Sequence, residues 1–274
     1  MKINFKNLFN LKDYKIFILG GNGLIGSQIV KALEEFGASI TVFDLDIKGR
    51  RNSSTTKHVK FNCANEKNIK SFFTNYIKKN KCPDVFINAS YPVSKDWKKN
   101  TFKEINFNSY KKNIEIHLNS YVWIAKSIAD QMLKNNIHGS IIQLSSMYGM
   151  LAQDSNLYKN TNISENMTYG IIKSSTIHFT KQMASYYGQY NIRVNNLIIG
   201  GIKGHIKGSK KKQDKFFIKK FNSKVPLKRM GTPEEIPSSV IFLASPASSY
   251  ITGSNIVIDG GYSIIWKRTN QIIH

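Results

Sequence analysis

The sequence predicts an α/β protein, a doubly wound parallel sheet with helices on both faces. Three observations carry this. Short, wholly apolar runs alternate with longer stretches of helical periodicity. A glycine-rich turn joins the first apolar run to the first helical stretch. The apolar runs also close on small or polar residues, as strands do when their carboxyl ends face a ligand crevice.

The elements follow in order. Lys15-Ile16-Phe17-Ile18-Leu19 reads as a buried strand and runs into Gly20-Gly21-Asn22-Gly23-Leu24-Ile25-Gly26. Ile25, Ile29, Leu33 and Phe36 then line one face of a helix that stops at Gly37. Ser39 to Phe43 is a second strand, ending at Asp44. Phe61-Asn62-Cys63 follows a short extended stretch, and Val85-Phe86-Ile87 is a buried strand closing on Asn88-Ala89-Ser90. A long helix spans about Tyr110 to Asn135. The strand Ile141 to Leu144 ends at Ser145-Ser146, and a helix runs from Tyr169 to Tyr187. Arg193 to Ile199 is a strand closing at Gly200-Gly201, and Asn255 to Ile258 is the last, followed by Asp259-Gly260-Gly261.

Glycines between a strand and a helix let the backbone approach a pyrophosphate, and the helix N-terminus adds unpaired N–H groups and a partial positive charge. Asp44 lies 18 residues beyond Gly26, where a carboxylate accepts from the ribose hydroxyls of NAD. Residues 13–45 therefore read as a dinucleotide-binding βαβ unit. Its candidate contacts are Gly20, Asn22, Gly23, Leu24, Ile25, Gly26 and Asp44. Asn62, Cys63, Asn88, Ala89, Ser90, Gly200 and Ile202 are candidates at or beyond other strand ends.

Tyr169 and Lys173 are four residues apart at the start of a predicted helix, so they share a face. A phenol beside an ammonium is a proton donor whose pKa the ammonium lowers, suited to a carbonyl becoming an alcohol. The spacing alone is weak. Random placement gives roughly two such pairs, and two occur, the other being Tyr91 with Lys95, interrupted by Pro92.

A chain of 274 residues suits one domain of this class, 1–274, and 41% apolar content supplies a core. No stretch approaches the length of a membrane span. Met1 to Tyr14 is polar, without the apolar centre of a secretory signal, and Cys63 and Cys82 form no metal or redox motif. A cytoplasmic location is the expectation. Six scattered histidines show no metal-ligand spacing. The formal net charge of +23 comes mostly from lysines spread along the chain, amid abundant Asn and Ile. Compositional bias accounts for it, as does attraction to anionic partners. The densest run is His205 to Lys215, then Lys219-Lys220, and no nucleic-acid motif accompanies it.

Together these residues resemble the short-chain dehydrogenase/reductase family over essentially the full length. The C-terminal third is especially specific: Arg229-Met230-Gly231-Thr232-Pro233-Glu234-Glu235-Ile236, Phe242-Leu243-Ala244-Ser245, Ser248 to Gly253, and Asp259-Gly260-Gly261. The resemblance implies a Rossmann-type fold, a homotetramer or homodimer, and a Ser/Tyr/Lys active site. Ser146 would orient the substrate, Tyr169 would be the acid/base, and Lys173 would lower its pKa and hold the nicotinamide ribose. Several positions depart from the family pattern. Leu24 stands where many members carry Gly, Asn62 where Asp is usual, and Ile199 where Pro is. His117 replaces the helix Asn that orders a relay water, and it either relays protons itself or packs on its helix.

The resemblance implies an NAD-dependent oxidoreductase. Lys48, Arg50 and Arg51 leave NADP open. The stretch from Ser146 to Tyr169, 23 residues, is longer than in many members, and its polar loop Leu151 to Asn166 should line the substrate mouth. With Tyr91-Pro92, it resembles a bacterial branch linked to flagellin modification, nonulosonic-acid synthesis and surface sugars. The expected substrate is a small anionic or sugar-like molecule, a sugar phosphate or nucleotide-sugar. Residues 200–225 would serve as a basic lid. The alternatives are a 3-oxoacyl-carrier-protein reductase and a non-catalytic, cofactor-sensing protein.

Overall fold

The computed structural model describes residues 4–204 and 213–265. Seven strands form one wholly parallel sheet in the order β3-β2-β1-β4-β5-β6-β7. They are β1 Lys15–Leu19, β2 Ser39–Asp44, β3 Thr56–Lys60, β4 Val85–Asn88, β5 Ser140–Ser146, β6 Arg193–Ile199 and β7 Asn255–Ile258. Every residue of β4 and β5 is buried, as a sheet covered on both faces requires. The strand order reverses between β1 and β4. Leu19 pairs with Phe43 on one side and Asn88 on the other, so the glycine turn, Asp44 and Ser90 emerge together at that crevice.

Two apolar layers hold the sheet. On one face, Ile29 and Leu33 of α1 (Leu24–Glu35) join Val240 and Leu243 of α8 (Pro237–Ala244) over Ile18, Ile40 and Ile142. On the other, α2 (Glu66–Asn80), α4 (Asn119–Lys134) and α6 (Met167–Tyr187) bury Phe73, Ile124, Ile128 and Met183 against Phe17, Phe86 and Ile141. Phe43 sits edge-on among Phe17, Phe61, Phe72, Phe73 and Tyr76. Losing such a ring costs about 3–5 kcal/mol.

The predicted long helix begins earlier and is not uniform. It comprises α3 (Phe107–Asn113), a π-helical turn Ile114–Leu118, and α4. The wide turn carries His117, and single π turns inside α-helices mark functional sites. A smaller cluster, Met147, Ile198, Phe221 and Tyr262, lies beneath α7 (Lys215–Lys224). The long connection before α6 folds a short helix, α5 (Ser155–Tyr158), against α7.

Candidate active site

The glycine turn does what its sequence requires. Gly20 adopts φ +77°, and a Cβ there would lie 2.7 Å from the Ser90 Cα. A Cβ on Gly26 would collide with the Gly20 carbonyl oxygen. Both positions exclude side chains where the turn must lie against the β4 end and its own helix. No side chain caps α1 at Gly23, so its first N–H groups face the crevice without one. Asp44 accepts from the Asn22 N–H at 2.9 Å and the Asp46 N–H at 3.2 Å, pinning the turn to β2. Ile25 packs on the core, and Leu24 packs against Gly204, bridging the turn to the strap after β6.

The other predicted cofactor contacts gather at the same sheet end with unequal roles. Asn88 accepts from the Ser90 N–H and hydroxyl at 3.3 and 2.7 Å, while its own Nδ2 is buried without a hydrogen-bond partner among the described residues. The Ala89 N–H donates to Leu19. A Cβ on Gly200 would clash with Asp259, and Ile202 bridges to Gly231. Asn62 is exposed and accepts from the Ala64 N–H two residues on. Burial pushes the Cys63 thiol up to about 11, with hydrogen bonds to Ser90 and Ser120 opposing, so it is unreactive near neutrality. A glycine cradle, an uncapped helix end and an acceptor at the β2 terminus fit a dinucleotide.

Ser146, Tyr169 and Lys173 converge. Ser146 ends β5, and Tyr169 lies in the first turn of α6, whose N-cap Asn166 accepts from the Tyr169 N–H at 2.9 Å. Close approach of Gly149 to the Lys173 backbone, where a Cβ would lie 2.7 Å from the carbonyl carbon, draws the serine turn onto the helix. Ser145, beside the candidate serine, is structural, donating to the Lys173 carbonyl at 3.0 Å. Lys173 Nζ donates to the Leu144 carbonyl at 3.0 Å and the Tyr121 hydroxyl at 3.4 Å, and lies 5.8 Å from the Tyr169 ring centre.

Burial pushes the Tyr169 phenol above its ordinary value, and a hydrogen bond from Ser146 pulls it back only in part. Burial also holds the Lys173 amine down to about 7. Its described hydrogen-bond partners are neutral, so nothing offsets the desolvation of an ammonium.

His117 is fully buried among Tyr91, Trp97 and Tyr121, with ring centres 5.2, 6.0 and 5.5 Å away. Burial first, and the Lys173 charge second, hold its pKa well below the ordinary value. Both ring nitrogens lack a hydrogen-bond partner among the described residues.

Tyr91 and Trp97 build a wall beside the Tyr169 phenol that sequence reasoning largely missed. Their ring centres are 5.9 and 6.2 Å from that of Tyr169, and the Trp97 indole donates to the Tyr91 hydroxyl at 3.1 Å. A buried polar network fixes this segment. Thr168 donates to the Asn100 side chain at 2.7 Å, and Asn100 to Ser109 at 2.8 Å. Asn113 and Ser94 exchange bonds at 2.8 and 3.0 Å. The available signal was a lone tryptophan amid lysines, too weak to use.

Of the basic lid, residues 205–212, including Lys210, Lys211 and Lys212, lie outside the described residues. The helical part turns toward the inserted loop. Lys220 donates to the Asn156 carbonyl at 3.1 Å and to that of Lys159, and Lys224 pairs with Asp154.

A doubly wound sheet with a dinucleotide cradle and a Ser/Tyr/Lys cluster at its carboxyl end defines a class of oxidoreductases. The chain belongs to the short-chain dehydrogenase/reductase family: residues 22–263 match the family model described as Enoyl-(Acyl carrier protein) reductase. It is 29% identical to the post-translational flagellin modification protein A of Campylobacter coli, over 93% of this chain and all of that protein. It is 28% identical to the ribulose-forming D-arabinitol 2-dehydrogenase of Scheffersomyces stipitis, over 93% and 95% of the two chains. A short-chain dehydrogenase from Leptospira borgpetersenii, solved with bound NAD+, superposes with a TM-score of 0.82 at 29% identity, covering 96% of this chain and 97% of that one. Among the described residues, no helix is long and apolar enough to cross a membrane.

Proposed function

We propose that this enzyme interconverts an alcohol and a carbonyl on a carbohydrate, a sugar phosphate or nucleotide-sugar of surface-glycan synthesis. The observation that carries the reading is the aromatic wall of Tyr91 and Trp97 against the Tyr169 phenol. Flat rings at that distance offer the apolar face of a sugar a surface to ride on, with the proton-transferring oxygen beside it. The flagellin-modification and D-arabinitol relatives support a carbohydrate. The phosphate or nucleotide part of this reading rests on the density of lysines in the sequence of 205–212.

NAD fits the cradle. The glycine turn and the α1 end would hold its pyrophosphate, and Asp44 its ribose, where a carboxylate opposes a 2′-phosphate. A cavity of about 410 Å³ lined by Asn22, Lys31, Arg50 and Arg51 favours NADP as the second reading. When bound, the nicotinamide supplies or takes up the hydride. The protein's part is proton handling. Ser146 holds the reacting oxygen, Tyr169 gives or removes its proton, and Lys173 stabilises the phenolate. His117, within electrostatic reach of Lys173, is the candidate to relay the proton onward, since a neutral imidazole offers one donor and one acceptor at once. Phe107 and Trp123, exposed on α3 and α4, favour assembly as a homodimer or homotetramer.

The test is turnover of polyols, sugar phosphates and nucleotide-sugars with NAD and NADP, by wild type and Tyr169→Phe. We expect the variant to lose about 10²–10⁴ in kcat while still binding NADH. Turnover of an acetoacetyl thioester alone would replace the carbohydrate with an acyl substrate.

A further inference from the structure

A second hydroxyl-bearing cluster lies beside the active site, outside the proton-transfer machinery. Tyr148 follows Ser146 by two residues, and its N–H donates to the Ser146 hydroxyl oxygen at 3.2 Å. The Tyr148 and Tyr158 hydroxyls are 3.1 Å apart, and Tyr158 is 3.3 Å from Gln153 Oε1. Gln153 is itself fixed, its Nε2 donating to the Asn166 carbonyl at 2.9 Å and its Oε1 accepting from the Asn166 N–H at 2.8 Å. The chain of bonds thus runs from Asn166 through Gln153 and Tyr158 to Tyr148.

Its anchored end is the N-cap of the catalytic helix. Its other end has capacity to spare. A phenol can donate one bond and accept others, and the Tyr158 hydroxyl is the one side-chain partner described for the Tyr148 oxygen. Tyr158 holds one proton and has two acceptors in reach, Gln153 and Tyr148. If Tyr158 gives its proton to Gln153, Tyr148 donates to Tyr158 and its oxygen stays open to a donor. If Tyr158 gives its proton to Tyr148, the Tyr148 proton is free. Both phenols are half-buried and within electrostatic reach of Tyr169. Burial pushes Tyr148 far above its ordinary value and Tyr158 up to about 12, so both stay neutral and serve as hydrogen-bonding groups.

We propose that Tyr148 reads a hydroxyl of the substrate remote from the reacting carbon, and that Tyr158 and Gln153 hold Tyr148 in place. Tyr148 is the specificity-determining residue and Tyr158 a positioning residue. The polyhydroxyl chain would lie between two surfaces, with Tyr91 and Trp97 against its apolar face and Tyr148 reading a hydroxyl edge. This rests on the carbohydrate reading above and adds what selects within that class.

The experiment compares a long polyol with a short one that lacks the remote hydroxyl: D-arabinitol against glycerol, and D-arabinitol 5-phosphate against glycerol 3-phosphate. Tyr148→Phe removes one oxygen and keeps the ring. It should lower kcat/KM for the long substrate about tenfold and for the short one less than about twofold, with NADH affinity unchanged. Tyr158→Phe should give a smaller loss of the same selectivity. The double variant should be no worse than Tyr148→Phe, because Tyr158 acts through Tyr148. Equal losses on long and short substrates, no loss in Tyr148→Phe, or additive losses would overturn the proposal. A wild type that binds NADH but turns over no polyol, sugar phosphate or nucleotide-sugar would reject the carbohydrate reading, and this subsite with it. Turnover with unchanged selectivity in Tyr148→Phe would reject the subsite alone.

Discussion

Gln153 and Asn166 are joined by two reciprocal hydrogen bonds, side chain to backbone, at 2.9 and 2.8 Å. Asn166 also accepts from the Tyr169 N–H and donates its side-chain N–H to the Trp97 carbonyl at 3.0 Å. One residue therefore sets the helix bearing the Tyr169 phenol, the wall beside it and the inserted loop. Asn166→Ala should cost about 1 kcal/mol as a lost cap, or somewhat more with the Trp97 bond gone. Urea unfolding measures the loss. It should come with a larger rise in KM than Asn156→Ala, since Asn156 engages only the loop and Lys220 through its backbone.

Lys173 gives a stability signature. Its folded value, about 7, lies below the ordinary 10.5, so between those limits the unfolded chain carries the extra proton. Stability then rises with pH across that window, by about 1.4 kcal/mol per pH unit for one proton. Below pH 7 the full penalty of burying the ammonium applies. Lys173→Met should lack this slope, so its advantage over wild type in urea unfolding narrows as pH goes from about 7.5 to 10. Parallel pH dependences in the two proteins would show that the amine is not desolvated.

His117→Phe tests the relay. The ring fits an aromatic cage, and it removes two polar atoms that hydrogen-bond nothing among the described residues. The melting temperature should hold or rise, because an unsatisfied buried polar group is replaced by an apolar one. The kcat should nevertheless fall, by about tenfold or more. Unchanged kcat would make His117 a packing residue.

Gly26→Ala should abolish cofactor binding. The added methyl meets the Gly20 carbonyl, so the turn must open, and calorimetry with NADH reads the loss. Gly23→Ala is the control: a Cβ there lies 3.3 Å from the same oxygen at an ordinary φ of −73°. Its binding should weaken less.

The parts of this protein legible in its sequence are those governed by local rules. Every predicted strand is present, because runs such as Lys15–Leu19 leave no polar face to expose. The Tyr169/Lys173 pair and Ser146 are singled out through the family resemblance, since helical spacing alone is weak, and the structure sets them at the start of α6 and the end of β5. What sequence could not give depends on distant partners. Trp97 stands beside Tyr169 because Asn100 is tied to Ser109 of α3 and Thr168 of α6, and Ser94 to Asn113 of α3. The Lys173 amine is held down to about 7 because helices and strands far apart in the chain exclude water from it. Lys220 and Lys224 read as anion-seeking until Asn156, Lys159 and Asp154 appear beside them. The π turn was illegible because His117 gives no side-chain signal of a widened backbone.

Gln213 donates to the Ile202 carbonyl at 3.1 Å and accepts from the Gly204 N–H at 3.2 Å, while Ile202 bridges to Gly231. One amide thus staples together the two ends of the interval 205–212. Rewriting that interval, by drift or by grafting, leaves the staple in place, so its sequence can be exchanged as a cassette.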